Sequence, residues 1–384
     1  MGEYRPRLLM HCHHSLGTGH LVRSFALAQA LRERFRVVIL SGGALPPGLA
    51  PPAGVELALL PPVGMAADGS LVSHSHRSVA DALVLRQSTV LDAFRRLRPD
   101  VVLVELFPFG RKKLSGELIS LLDEARAAGA FVACSLRDVL VTDRRDQEAH
   151  DERASMLANL YLDAVLVHAD PRVARLEESF APQTPLRVPV HYTGFVTGGP
   201  PPVPAAREPR VVVSVGGGLV GEPLLRAAIA AQPLLAREGL ELRVLAGPFL
   251  PERAWESLRV AVRGVPGLEL LRAVPDLRAE LASASVSVSQ CGYNTALDLL
   301  ATGISAIVVP FAGGRENEQA RRAGRLEELG MLRTLDAERL DPETLAAEIC
   351  AARSFRPRLL DLDLDGAGRS AELLADLSRA GVAA

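Results

Sequence analysis

The residues with the clearest capacity for chemistry in this sequence lie between Ser289 and Asp298. A strand is predicted over 285–289, and a helix is predicted to begin near Asn294, shortly after Gly292. The free N–H groups and the positive dipole end of such a helix face the preceding loop, which suits a diphosphate. We expect Asp298 in the first turn of this helix, where its carboxylate can accept hydrogen bonds from the two hydroxyls of a ribose.

A second polar cluster follows the next predicted strand, 306–310. Glu318 and Gln319 lie in the loop or the helix start beyond that strand. A carboxylate together with an amide suits the hydroxyls of a sugar. The two clusters together predict a site for a nucleotide diphosphate that carries a sugar.

A glycine-rich turn, Gly216, Gly217 and Gly218, joins a predicted strand to a predicted helix and also suits a phosphate. A nicotinamide cofactor would require in addition an acid at the end of the following strand, to hold its ribose. Neither half of the chain has that acid, because 41–43 and 247–248 follow the corresponding strands. A dehydrogenase is therefore disfavoured, and we expect no cofactor.

A candidate base, His20, stands at the start of a predicted helix. In an open α/β domain this position lies at the carboxyl ends of the strands, where ligands bind. An imidazole that titrates near neutrality can act as a base, and an acid can orient it. Glu105 and Asp138, each at the end of a predicted strand, are alternatives for that acid. The loop directly before the histidine is formed by Gly17, Thr18 and Gly19.

The other histidines near the start of the chain do not indicate a metal site. His11, His13 and His14 precede His20, but no spacing matches a helical ligand pair. No cysteine or carboxylate completes the set. We expect no metal.

Two sheets are needed to position these residues. At 384 residues the chain exceeds what one hydrophobic core usually serves. Buried strands alternate with helices in both halves, which is typical of parallel sheets, and a proline-rich segment separates the halves. We expect an amino-terminal domain over 1–197, a linker over 198–209 and a second domain over 210–362.

Composition restricts the partners and the location. Lys plus Arg total 43 against 45 for Asp plus Glu, and only 4% of residues are aromatic, so a nucleic-acid partner is disfavoured. The four cysteines have no paired spacing, which favours a reduced, cytoplasmic setting. No signal-peptide core and no apolar run near the roughly 20 residues of a membrane span is present. A peripheral contact with a membrane stays open.

The segment from Ser289 to Asp298, together with Gly303 and 316–319, resembles the carboxyl-terminal signature of the glycosyltransferases related to the MurG enzyme of peptidoglycan synthesis. Four further segments are similar, in order, to a branch of predicted bacterial glycosyltransferases in that superfamily: 16–23, 136–139, 168–173 and 192–196. The resemblance implies an α/β fold of the GT-B type, with two Rossmann-like domains whose parallel sheets face across a cleft. It also implies that a carboxyl-terminal helix, 363–384, returns to the first domain.

The resemblance further implies a UDP-sugar donor, with UDP-N-acetylglucosamine as one possibility. It also implies an acceptor hydroxyl of unknown identity, which His20 deprotonates and on whose side the loop 17–19 lies. The transfer would be metal-independent and inverting. A UDP-sugar hydrolase, an epimerase and a non-catalytic nucleotide-sugar-binding protein are the alternatives. The residues expected to bind the donor are Gly216, Gly217, Gly218, Val274, Ser289, Gly292, Asn294, Thr295, Asp298, Glu318 and Gln319.

Overall fold

A computed structural model describes residues 5–13, 19–43, 45, 49–66, 70–75, 78–199, 206–311 and 317–382. The chain divides into two compact units. Unit 1 comprises Met1–Leu140, Arg144–Gly198 and Leu362–Ala384. Unit 2 comprises Val141–Asp143 and Gly199–Asp361. A three-residue segment from the first half of the chain therefore belongs to unit 2, which no sequence pattern indicated.

The described strands and helices alternate along the chain. Up to residue 199 they are β1 (Arg7–Cys12), α1 (Gly19–Leu31), β2 (Arg36–Ser41), β3 (Glu56–Leu59), β4 (Val63–Met65), β5 (Leu71–Ser73), α2 (Val79–Leu97), β6 (Val101–Glu105), α3 (Ser115–Ala127), β7 (Phe131–Arg137), α4 (Gln147–Tyr161), β8 (Ala164–His168) and β9 (Val190–Tyr192). After residue 206 they are β10 (Glu208–Ser214), α5 (Glu222–Arg237), β11 (Glu241–Leu245), α6 (Glu252–Ala261), β12 (Leu268–Leu271), α7 (Leu277–Ser283), β13 (Ala284–Ser289), α8 (Tyr293–Thr302), β14 (Ser305–Val308), α9 (Glu318–Glu328), β15 (Arg333–Thr334), α10 (Pro342–Ala352) and α11 (Gly366–Val382).

Unit 1 is built on a parallel sheet with the strand order β3-β2-β1-β6-β7-β8-β9. Its central strands are buried on both faces, so their sequences are nearly continuous apolar runs. Leu8, Met10 and Cys12 alternate along β1 and pack in one core with Phe25 of α1 and Leu374 of α11. The carboxyl-terminal helix is thus part of unit 1.

Unit 2 contains a second parallel sheet, with the order β12-β11-β10-β13-β14-β15. Val211 and Val213 of β10 and Val286 and Val288 of β13 share a core with α5 and α10. In each sheet the strand order reverses next to the first strand, between β1 and β6 in unit 1 and between β10 and β13 in unit 2. Open α/β sheets bind ligands at the carboxyl ends of the strands at such a switch point.

Among the described residues, none of the helices has both the length and the apolar character that crossing a membrane requires.

Candidate active site

The switch point of unit 1 is occupied by Glu105, the last residue of β6 and 1% exposed. Its Oε1 atom is 2.5 Å from Nδ1 of His20 and accepts a hydrogen bond from Nη2 of Arg23, also at 2.5 Å. Its Oε2 atom accepts from Nη2 of Arg111 at 2.8 Å. Of the two acids that the sequence offered as partners of His20, the structure brings Glu105 to the imidazole.

The electrostatics of this cluster favour a neutral imidazole beside an ionised carboxylate. Burial lowers the pKa of His20 from 6.5 to about 4, although Glu105 acts in the opposite direction. Burial would raise the pKa of Glu105, but His20, Arg111 and Arg23 outweigh it and hold that pKa well below its usual range. Because an ionised carboxylate only accepts hydrogen bonds, Nδ1 carries the imidazole proton. The lone pair is then on Nε2, and this arrangement is that of a base.

Of the other predicted residues of this region, the structure describes Asp138 and Gly19. Asp138 follows β7 and is buried, and its Oδ1 atom accepts a hydrogen bond from the backbone N–H of Val139 at 2.8 Å. Gly19 is the first residue of α1. Gly17 and Thr18 lie outside the described residues.

Two arginines of the cluster were missed by the sequence reasoning. Arg23 stands three residues after His20 in α1, so both side chains share one face of the helix, and this spacing was a usable signal. Arg111 follows β6 by six residues and adopts a left-handed backbone conformation, with φ of 60°. No pattern in the sequence indicated that its side chain returns to Glu105.

At the switch point of unit 2, the turn Gly216–Gly218 follows β10. Gly218 has φ of 87°, and a Cβ atom there would stand 2.4 Å from the carbonyl oxygen of Ala246. The carbonyl of Gly217 accepts from the backbone N–H of Phe249 at 2.8 Å. Close packing against the loop after β11 therefore accounts for Gly218, and phosphate binding by the turn stays a prediction.

The adjacent strand, β13, leads through Gly292 into α8, which begins at Tyr293. Asn294 and Thr295 lie in the first turn of this helix, where backbone N–H groups have no partner within the helix. Ser289 ends β13 and stands opposite Ser214 of β10. The Oγ atoms of both serines are buried and have no hydrogen-bond partner in the part of the chain that the structure describes. A helix amino terminus and two serine hydroxyls thus meet at this switch point.

The expectation that Asp298 lies in the first turn of its helix was wrong. Gly292 ends the extended segment, so α8 begins at Tyr293 and Asp298 is its sixth residue, in the second turn. Its Oδ1 atom accepts a hydrogen bond from Nε of Arg278 at 2.8 Å. Burial raises the pKa of Asp298, and Arg278 opposes this effect. The carboxylate therefore already has a partner in the protein.

The second polar cluster begins α9. Gln319 uses its Oε1 atom to accept from the backbone N–H groups of Cys291, at 3.1 Å, and Phe311, at 3.2 Å. It thereby joins the loops that follow β13 and β14. Glu318 is the first residue of α9 and is half-buried. Val274, one of the residues expected to bind the donor, lies half-buried between β12 and α7.

No group of three or more His, Cys, Asp or Glu side chains is arranged to hold a metal ion within the described ranges. The binding and catalytic roles of all these residues stay predictions.

Comparisons with known proteins agree with this architecture. Residues 211–368 match the model of the glycosyltransferase family 28 C-terminal domain. A UDP-N-acetylglucosamine–N-acetylmuramyl-(pentapeptide) pyrophosphoryl-undecaprenol N-acetylglucosamine transferase of Methylobacterium radiotolerans is 32% identical over 138 residues, which cover 36% of this chain and 37% of that enzyme. The enzyme of the same name from Brucella anthropi is 31% identical over 206 residues, or 48% of this chain and 53% of that enzyme. The chain thus spans about half, or less, of the length of these relatives.

Solved structures share the fold over 98% or more of this chain. CalG4, the calicheamicin glycosyltransferase, superposes with a TM-score of 0.62 at 18% identity and 99% coverage of both chains. MurG of Acinetobacter baumannii gives a TM-score of 0.60 at 14% identity, with 98% of this chain and 100% of that chain covered. The fold is that of the GT-B glycosyltransferases. The sequence prediction of this fold is confirmed, and so is the resemblance of part of the chain to the MurG-type transferases.

Proposed function

We propose that this chain is a transferase that moves a sugar from a UDP-sugar to an acceptor hydroxyl. The observation that carries the proposal is the family match over 211–368, because it includes the switch point where the amino terminus of α8 meets Ser214 and Ser289. That terminus suits the diphosphate of the donor. UDP-N-acetylglucosamine is the first donor to test, since the relatives from Methylobacterium and Brucella are named for it.

In this proposal unit 2 binds the donor, and unit 1 binds the acceptor and supplies His20 as the base. Nε2 of His20 takes the proton of the acceptor hydroxyl while the oxygen of that hydroxyl attacks the anomeric carbon. The bond between that carbon and the diphosphate oxygen breaks, UDP leaves, and the configuration inverts. Glu105 stays ionised and stabilises the imidazolium that forms. The amides at the start of α8 stabilise the negative charge on the departing UDP, so that no metal is required.

The test measures UDP release from a panel of UDP-sugars and acceptors, and UDP affinity by calorimetry, in the wild type and three variants. His20→Asn should lower kcat by about 10²–10⁴ and leave the affinity for UDP unchanged, because it removes the base but not the donor site. Asp298→Asn should weaken UDP binding. His191→Asn, in β9 and outside the predicted machinery, is the matched histidine control. Normal turnover in His20→Asn would exclude this histidine as the base.

A hydrolase is the second candidate, because the same pair of His20 and Glu105 can activate water as well as a hydroxyl. Release of free sugar at equal rates with and without an acceptor would favour it. Tight UDP-sugar binding with no turnover under any acceptor would instead indicate a binding protein. The cytoplasmic location and the absence of a nucleic-acid partner are further parts of the proposal, to be tested by cell fractionation and by gel-shift titration.

A further inference from the structure

The loop that follows β6 has an unusual backbone at both ends. Leu106 has φ of 66° and Arg111 has φ of 60°, and both are residues other than glycine. A left-handed conformation is unfavourable for such residues, and it persists only where the surrounding structure imposes it. The loop is fixed by hydrogen bonds from Leu106 N to the carbonyl of Ser135, at 2.9 Å, and from Gly110 N to the carbonyl of Leu106, at 2.7 Å. Because of this loop conformation, the side chain of Arg111 contacts Glu105, the last residue of β6.

The contact that this loop produces is specific. Nη2 of Arg111 donates to Oε2 of Glu105 at 2.8 Å and also donates to the backbone carbonyl of His13. The other carboxylate oxygen, Oε1, accepts hydrogen bonds from Nδ1 of His20 and Nη2 of Arg23. Both oxygens of Glu105 are therefore held, and the plane of its carboxylate is set by groups from two segments of unit 1, α1 and the loop after β6.

We propose that Arg111 is a positioning residue for the base His20. By holding Oε2 of Glu105, it orients Oε1 toward Nδ1 of the imidazole and so keeps Nε2 as the atom that accepts the proton. The inference rests on the proposed function, in which His20 is the base.

Charge supports the same role. Arg111 acts with burial to lower the pKa of His20, so its removal should raise that pKa. The other groups that influence this pair are Arg23, Arg137, Cys12, Cys134 and His168. Burial raises the pKa of Cys12 to about 12 and lowers that of His168 to about 3, so both side chains are neutral near pH 7. They do not compensate for a lost arginine.

The experiment compares Arg111→Met and Arg111→Lys with Lys112→Met in the full chain. Lys112 is the matched control, because it carries the same charge in the same loop but is exposed and pairs with Asp146 at 3.4 Å. Histidine NMR titration of His20 and the pH dependence of kcat/KM are measured for each variant. Arg111→Met should raise the pKa of His20, move the acid limb of the profile upward, and lower kcat/KM by about 10–100-fold through misplacement of the base. Arg111→Lys should restore part of the wild-type pKa of His20 and part of kcat/KM. Lys112→Met should change neither the pKa nor kcat/KM.

The outcomes separate the two proposals. An unmoved His20 titration in Arg111→Met, with the protein folded, would overturn the positioning role whatever the activity. An upward shift without any sugar transfer in the wild type would support the positioning role and reject the transferase proposal. A higher KM with an unmoved acid limb would mean that Arg111 binds the acceptor instead, and the inference would be wrong.

Discussion

The pairing of His20 with Glu105 is tested most sharply by Glu105→Gln, which keeps the shape of the side chain and removes its charge. Glu105 is buried and meets donors from His20, Arg23 and Arg111. An amide has one acceptor oxygen, and its NH2 group donates, so it cannot satisfy donors at both positions. The variant therefore disturbs both the fold of unit 1 and the orientation of the imidazole.

The size of each effect follows from the burial of the partners. Arg23 is 2% exposed, so loss of the carboxylate leaves a buried cation without its counter-charge. Breaking a buried ion pair in this way costs about 3–5 kcal/mol. Domains are typically stable by about 5–15 kcal/mol, so we expect the variant to fold but to unfold at a clearly lower denaturant concentration. Because the base loses its orienting acceptor, kcat should fall by about 10²–10⁴.

Unit 1 offers a matched control for this change. Glu117 is also buried and also joins a histidine to an arginine, with His11 at 3.0 Å and Arg86 at 2.6 and 2.7 Å. Glu117→Gln should lose comparable stability and keep kcat per folded molecule. The assay combines denaturant unfolding with UDP release at a temperature where both variants are folded. Equal losses of kcat in the two variants, or no loss in Glu105→Gln, would show that Glu105 does not orient the base.

Three further predictions concern stability and the donor site. Burial lowers the pKa of His168 to about 3 and that of His20 to about 4, so the unfolded state takes up protons first as the pH falls. Stability should therefore decline from about pH 6.5 toward pH 4, by up to about 1.4 kcal/mol per pH unit for His168, and His168→Gln should flatten this slope in denaturant titrations. Gly218→Ala should destabilise unit 2 more than Gly239→Ala, because both have positive φ but a Cβ atom at Gly239 meets nothing within 4 Å; equal unfolding midpoints would contradict this. Gln319→Ala should weaken UDP binding in calorimetry and cost about 1–3 kcal/mol for each N–H group left without an acceptor, whereas Gln319→Glu should retain most of the stability.

The parallel sheets could be predicted because buried parallel strands are continuous apolar runs with small or polar residues at their ends. The strand over 101–105 and the helix that contains His20 both follow from such local patterns. Side chains at the ends of neighbouring parallel strands must lie near each other, which is why Glu105 was a candidate. The GT-B fold was predicted correctly on the same basis together with the resemblance.

The choice of partners could not be predicted, because it depends on contacts between distant segments. Glu105 ends β6 and Asp138 follows β7, and only the folded structure shows that Glu105 contacts His20 of α1. The left-handed backbone at Arg111 could not be predicted, because arginine rarely adopts that conformation. Asp298 was expected to bind the hydroxyls of a ribose, and nothing in the sequence indicated that Arg278 of the preceding helix donates a hydrogen bond to it. Charged pairs between helices leave no periodic trace in a sequence.

The most direct test of the proposed donor site is the unfolding temperature of the transition that contains unit 2. It is measured with UDP, with other nucleoside diphosphates and with NAD, each in the presence of EDTA. UDP at about 100 times its dissociation constant should stabilise the protein by about 2.7 kcal/mol, or about 5–10 °C for a unit of this size. We expect this shift for UDP, its reduction in Asp298→Asn, and no shift with NAD. No shift with UDP, or an equal shift in Asp298→Asn, would contradict the proposal that the amino terminus of α8 and its neighbours bind the donor.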